Sequence, residues 1–264
     1  MDNILGTILR SKYEQLPILR EAFDKGCFGS LGDSNQQGMR SFRARLDQSD
    51  QMQVIAEIKR GSPSKGLFAP DLDVKAQAAK YDASGVGAIS VLTDKHFFHG
   101  GFEDLQRVRS RVSVPVLCKD FIVDEIQIDI ARVLGADIIL LIAAAHTKKR
   151  LIQLRDYALK IGLEVLLEVH NNREMDVALS IGHDLIGVNN RNLKTFHTDI
   201  QTSLNLSQRV KDTRVHLISE SGIQTREDVE KLAKAGFKGV LVGESLIRDG
   251  IGGNLIDHMT KVAR

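Results

Sequence analysis

Residues 54–64 read Val-Ile-Ala-Glu-Ile-Lys-Arg-Gly-Ser-Pro-Ser (VIAEIKRGSPS). Val54 to Ile58 have the apolar, β-branched character of a short buried strand, and Gly61 and Pro63 end it. Side chains alternate along a strand, so Ile55, Glu57 and Lys59 share a face, while Ala56 and Ile58 share the other. Two charges on an otherwise apolar strand end are costly unless paired or used. They read either as a structural ion pair or as a catalytic pair at the mouth of a sheet. The turn at 60–64 adds hydroxyls and backbone N–H groups suited to an anion such as phosphate.

The pattern of residues 54–64 recurs. Apolar runs over 54–59, 88–93, 115–121, 137–143, 164–170, 185–189, 215–221 and 239–242 predict strands. Amphipathic stretches over 74–83, 102–112, 126–134, 148–161, 174–181, 204–210 and 226–235 predict helices between them. Gly85, Gly135, Gly162, Gly182 and Gly236 stand where helix C-terminal glycines belong. Near-continuously apolar strands alternating with helices mean a parallel sheet covered by helices. Eight such units in about 200 residues predict an α/β protein with a (β/α)8 TIM barrel. Residues 51–264 are expected to form the barrel and residues 1–50 an N-terminal helical extension packed on it, as one domain. In the extension, Ile4, Ile8, Leu9 and Tyr13 have helical spacing, as do Phe42 and Leu46, and residues 26–38 read as a loop. Arg40, Arg43 and Arg45 read as a solvated helix face.

Composition narrows the function. The 264 residues are 42% hydrophobic and carry a net charge of +2, too mild to argue for nucleic acid. No apolar run approaches the ~18 residues of a membrane span. The N-terminus lacks a signal core. Two cysteines without a CxxC spacing suggest neither a disulfide framework nor zinc, so a reducing, cytoplasmic setting is expected. His96 and His99 read as loop residues rather than metal ligands. No GxGxxG follows the first strand, and no GxxxxGK[ST] occurs.

Chemistry in a barrel sits at the C-terminal strand ends. There the sequence places Glu57 and Lys59, Lys119 with Asp120 and Phe121, Glu168, Asn189 with Arg191, Glu220 with Ser221 and Gly222, and Gly243 with Glu244. Two lysines, the glutamates Glu57, Glu168 and Glu220, and an asparagine at such ends predict an active site. Cys118 alternates away from it. The turns after strands seven and eight predict a phosphate site, with the backbone rather than the side chain of Glu244 facing the anion. Phe97, Phe98 and Phe121 suit either core packing or the wall of a site for a flat aromatic substrate.

EIKRGSPS at 57–64, SVLTDKHFF at 90–98, CKDF at 118–121, LLEVH at 166–170, VNNRNL at 188–193 and SESGI at 219–223 together resemble the indole-3-glycerol phosphate synthase family. The resemblance spans about residues 50–250. It departs at Gly61, Gly101 and the loosely similar N-terminal segment, away from the charged set. It implies a carboxy-lyase that closes, decarboxylates and dehydrates 1-(2-carboxyphenylamino)-1-deoxyribulose 5-phosphate in tryptophan biosynthesis. The resemblance further implies Lys119 as the acid for closure and Glu168 and Lys59 in dehydration and charge placement. Glu57 and Asn189 would position them. Glu220 and Arg191 would support the site, and Ser62, Ser221, Gly222, Gly243 and Glu244 would hold the phosphate. The substrate's own nitrogen acts as electron sink, so no cofactor and no metal is expected. The expected partner is a phosphorylated small molecule, with neither nucleic acid nor membrane. A monomer is the expected state, a weak homodimer its alternative. A sugar-phosphate isomerase on the same barrel is the nearest rival, and its chemistry would favour a Cys/Asp pair. A non-catalytic barrel serving as a partner subunit is the other.

Overall fold

The computed structural model describes residues 4–31 and 38–264. Eight parallel strands close into a barrel: β1 (Gln53–Ile58), β2 (Ala88–Leu92), β3 (Val116–Lys119), β4 (Ile138–Ile142), β5 (Glu164–Val169), β6 (Leu185–Asn189), β7 (His216–Glu220) and β8 (Gly239–Val242). Closure occurs at β1, which pairs Gln53 with Gly239 on one side and Ile55 with Ala88 on the other. Helices alternate with the strands and cover the sheet's outer face. The five helix-terminal glycines predicted from the sequence all have positive φ, between 67° and 92°.

Alternation sorts the strand residues into two layers. Ile55, Leu117, Leu140, Leu166, Ile218 and Leu241 fill the barrel interior. Val54, Ala56, Val116, Cys118, Leu167 and Val240 pack outward against the helices. Cys118 therefore faces away from the interior, as its spacing predicts.

Among the described residues, helices α1 (Ile4–Asp24) and α2 (Phe42–Gln48) precede the barrel. Helix α2 plugs the floor, where Phe42 and Leu46 join the interior cluster at 0% exposure. Burying each contributes about 1.5–3 kcal/mol. Ser41 caps α2 by accepting from Ala44 N, and the Glu164 carboxylate accepts from Ser41 Oγ and Phe42 N. An acid from the start of β5 thus meets the positive end of α2.

Several expectations are corrected. The buried face of α1 is Leu5, Ile8 and Lys12, and Tyr13 is exposed. A buried lysine hides the helical stripe from an apolar count. Arg40 and Arg43 are half-buried clamps, not a solvated face. Arg40 Nη1 donates to Val114 O and Arg43 pairs with Asp184. Of the expected loop over 26–38, residues 32–37 lie outside the described residues. The helix expected over 204–210 is Gln201–Ser207. Its first turn looks polar, but Ser203 is buried, donating through its N–H to Asn190 Oδ1 and pairing with Ser219 Oγ at 2.7 Å. His96 lies in a short helix, Lys95–Phe98, and His99 caps it rather than lying on an open loop.

Candidate active site

A cavity of about 770 Å³ opens at the C-terminal ends of the strands. Glu57, Lys59, Ser62, Lys119, Phe121, Glu168, Asn189, Arg191, Ser221, Gly222, Gly243 and Glu244 all line it. Glu220 alone among the predicted residues stands behind the lining, fully buried at the end of β7. Gly187 on β6 makes room for it, since a Cβ there would fall 2.0 Å from Glu220 Oε1.

Lys119, at the end of β3, is the electrostatic centre. Its Nζ lies 3.2 Å from Glu57 Oε2 and 3.4 Å from Glu220 Oε2. Lys59 Nζ lies 2.5 Å from the other Glu57 oxygen, so one carboxylate bridges two ammonium groups. Burial pulls the Lys119 pKa down, but Glu57, Glu220 and Glu168 together outweigh it and hold it above the ordinary lysine value. Burial pushes the Glu57 carboxyl up, yet Lys119 and Lys59 bring it down to about 2. Glu220 has burial against it and neighbouring carboxylates beside it, with only Lys119 to compensate, and is pushed up to about 8.

Glu168 sits on the same inward face of β5 as Leu166. Burial raises its pKa, but His170, Lys119 and a hydrogen bond from Asn189 hold it below the usual carboxylate range. The Asn189 amide is oriented from the other side, because its Oδ1 accepts from Arg191 N at 3.0 Å. That leaves Nδ2 to face Glu168.

The remaining walls are of two kinds. Phe98 and Phe121 stand with ring centroids 5.9 Å apart and planes tilted by 32°, beside Leu92, Leu140 and Ile142. On the opposite side, Ser221 and Gly222 both adopt positive φ, at 67° and 77°. Ser245 Oγ donates to Ile223 O and joins that turn to the one after β8. The Glu244 side chain turns to Lys65 and Arg248, at 2.6 and 2.8 Å.

Two features escaped the sequence reading. Ile4, Leu5 and Ile8 of α1 form part of the cavity's lining, and Lys12 anchors that helix through Asp94 and Asp120 at 2.8 and 2.6 Å. His170 lies between Glu168 and Glu174. Its signal was the period of two in LLEVH, which puts it on the face of Glu168.

The model of the indole-3-glycerol phosphate synthase family matches residues 5–255. The chain belongs to that family. An indole-3-glycerol phosphate synthase of Bacillus cereus (strain AH820) is 44% identical over 247 residues, covering 94% of each chain. One from Oceanobacillus iheyensis is 52% identical over 208 residues, 79% of this chain and 80% of that one. A solved structure described as native KDPGal superposes with a TM-score of 0.56 over 79% of this chain and 92% of that one. At 14% identity it shows the barrel fold alone. Membership in the indole-3-glycerol phosphate synthase family answers the isomerase and partner-subunit rivals. No described helix is long and apolar enough to cross a membrane.

Proposed function

We propose that this chain converts 1-(2-carboxyphenylamino)-1-deoxyribulose 5-phosphate to indole-3-glycerol phosphate, carbon dioxide and water in tryptophan biosynthesis, with Lys119 as the acid for ring closure. The observation that carries the assignment is the position of Lys119 Nζ, 3.2 Å from Glu57 and 3.4 Å from Glu220 at the edge of an aromatic-walled cavity. An ammonium held above its ordinary pKa keeps its proton throughout the working range. The alkoxide that develops on the ketone oxygen is basic enough to take it.

The ring carbon bearing the carboxylate attacks the ketone carbon. Lys119 protonates the ketone oxygen, and the substrate's nitrogen becomes an iminium. The bond to the carboxylate then breaks, and its electron pair restores the ring. Loss of the new hydroxyl needs a proton on oxygen and a base for the adjacent proton. Glu168 is that base, and the Lys59 ammonium, held by Glu57, gives the proton with which the hydroxyl leaves as water. Asn189 positions Glu168, and Glu220 and Arg191 support the set. Phe121 walls the aromatic ring. The phosphate lies against Ser62, Ser221, Gly222 and Gly243 and the backbone of Glu244.

The extension over residues 1–50 and the barrel over 51–264 act as one catalytic domain, because α1 supplies part of the cavity's lining. That one chain lines the cavity supports a monomer as the working unit, a weak homodimer being the alternative that sedimentation would reveal. A charged, membrane-impermeant substrate supports a cytoplasmic setting. The chain contains no Trp, so product fluorescence stands out against the protein. Adding substrate should give an indole signal with matching carbon dioxide release. Consumption of substrate without either would refute the assignment.

A further inference from the structure

His170 follows Glu168 by two residues and leans toward the same side of β5. Its Nε2 lies 3.1 Å from Glu168 Oε1 and its Nδ1 lies 3.0 Å from Glu174 Oε2. Glu174 is fixed in turn, accepting from the His170 backbone N–H at 2.8 Å and from Asn171 Nδ2 at 2.6 Å. Each ring nitrogen therefore faces a carboxylate oxygen. A neutral imidazole carries one proton and would point a bare lone pair at one of them. The imidazolium donates through Nδ1 to Glu174 and sets its positive charge 3.1 Å from Glu168, an ion-pair contact in which Nε2 lies outside hydrogen-bond geometry. The ring is little exposed, at 9%, so water does not replace either partner.

We propose that His170, gripped by Glu174, is a positioning residue that aims the Glu168 carboxylate and supplies its counter-charge. The inference rests on the reading of Glu168 as the base of the reaction. It also explains why two buried glutamates beside Lys119 differ. Glu220 has no imidazolium, and both of its oxygens lack a hydrogen-bond partner within normal geometry. Glu168 has His170 on one side and Asn189 on the other. Burial pulls His170 down, but Glu168 and Glu174 bring it up to about 10, so it stays charged across the working range.

The groups acting on Glu168 are His170, Lys119 and Asn189. It in turn acts on Glu220, while β4 contributes Ile142 beside it. With His170 replaced, burial is opposed by Lys119 and Asn189 alone, and the Glu168 proton binds more tightly. A base works deprotonated, so the acidic limb of kcat moves to higher pH.

The test is a carbon-13 NMR titration of the glutamate carboxylates, with Glu168→Gln marking the resonance, alongside the pH profile of kcat. In His170→Gln, Glu168 should titrate about 1–3 pH units higher than in wild type. The acidic limb should move with it, and KM should stay near its wild-type value. Glu174→Gln, which keeps the ring and loosens its grip, should shift both in the same direction by less. It also serves if His170→Gln fails to fold. An unmoved Glu168 titration in the folded variants, with kcat lowered equally at every pH and a lower Tm, would make His170 structural and overturn the proposal. Normal turnover by Glu168→Gln would remove Glu168 from the reaction, and with it any catalytic consequence of His170.

Discussion

Lys12 Nζ lies 2.6 Å from Asp120 Oδ1, so a buried ion pair fastens α1 to the residue next to Lys119. Asp94, 2.8 Å from the same nitrogen, caps the helix that carries Phe98. One lysine thus ties the part of the cavity lined by α1 to both segments that carry its aromatic walls.

Lys12→Met should release α1 without unfolding the barrel. It leaves two buried carboxylates without their cation, and losing one partner of a buried pair costs about 3–5 kcal/mol. Hydrogen exchange across residues 4–24 should accelerate, and KM should rise more than kcat falls. Wild-type protection of that helix, with an unchanged KM, would rule out an anchoring role.

Glu220 predicts a pH dependence of stability. An unfolded glutamate titrates near ~4.3, and this one, pushed up by burial, near about 8. Its contribution is therefore fully present below the unfolded value and is lost as pH rises through the folded one. Glu220→Gln mimics the protonated form at every pH. The variant should melt like wild type near pH 4 and progressively higher than wild type toward pH 9. Parallel melting curves across that range would mean that Glu220 is not protonated in the resting site.

Much of the fold and of the site was legible because a closed barrel forces strand-end charges together. Glu57, Lys119 and Glu168 are far apart in sequence, yet period-two alternation alone places them on the interior face. What was not legible depended on partners. The direction of the Lys119 shift could not be read, because burial and Lys59 oppose Glu57 and Glu168. The structure places Glu57 at 3.2 Å as the largest upward pull, and the shift is upward. Lys12 and Ser203 were missed because each is a polar residue buried by a specific partner, which an apolar count passes over.

Glu168→Gln keeps shape and removes the base. We expect kcat to fall by roughly 10²–10⁴, the usual loss for a general acid–base group. Wild-type turnover with a lower Tm would favour a structural counter-ion.

Substrate lacking its phosphate should bind about 10²-fold worse, the loss of one or two charge-assisted hydrogen bonds. Inorganic phosphate should compete with intact substrate. Equal affinities would place the phosphate elsewhere. Gly222→Val is a poor probe of this site. Residue 222 has φ of 77°, and an added Cβ would meet Thr198 Cγ2 at 2.5 Å, so the variant strains the turn as well as crowding an anion.

The role of Lys119 is tested most directly by the timing of carbon dioxide release in Lys119→Met. Methionine keeps much of the stem's volume and removes the proton and charge, and a thermal melt establishes that the variant is folded. Closure precedes decarboxylation, so loss of the closure acid stops the reaction before either product forms. Carbon dioxide and indole should fall together, by at least about 10². Carbon dioxide appearing at the normal rate while indole does not would place Lys119 in dehydration and contradict its assignment to closure.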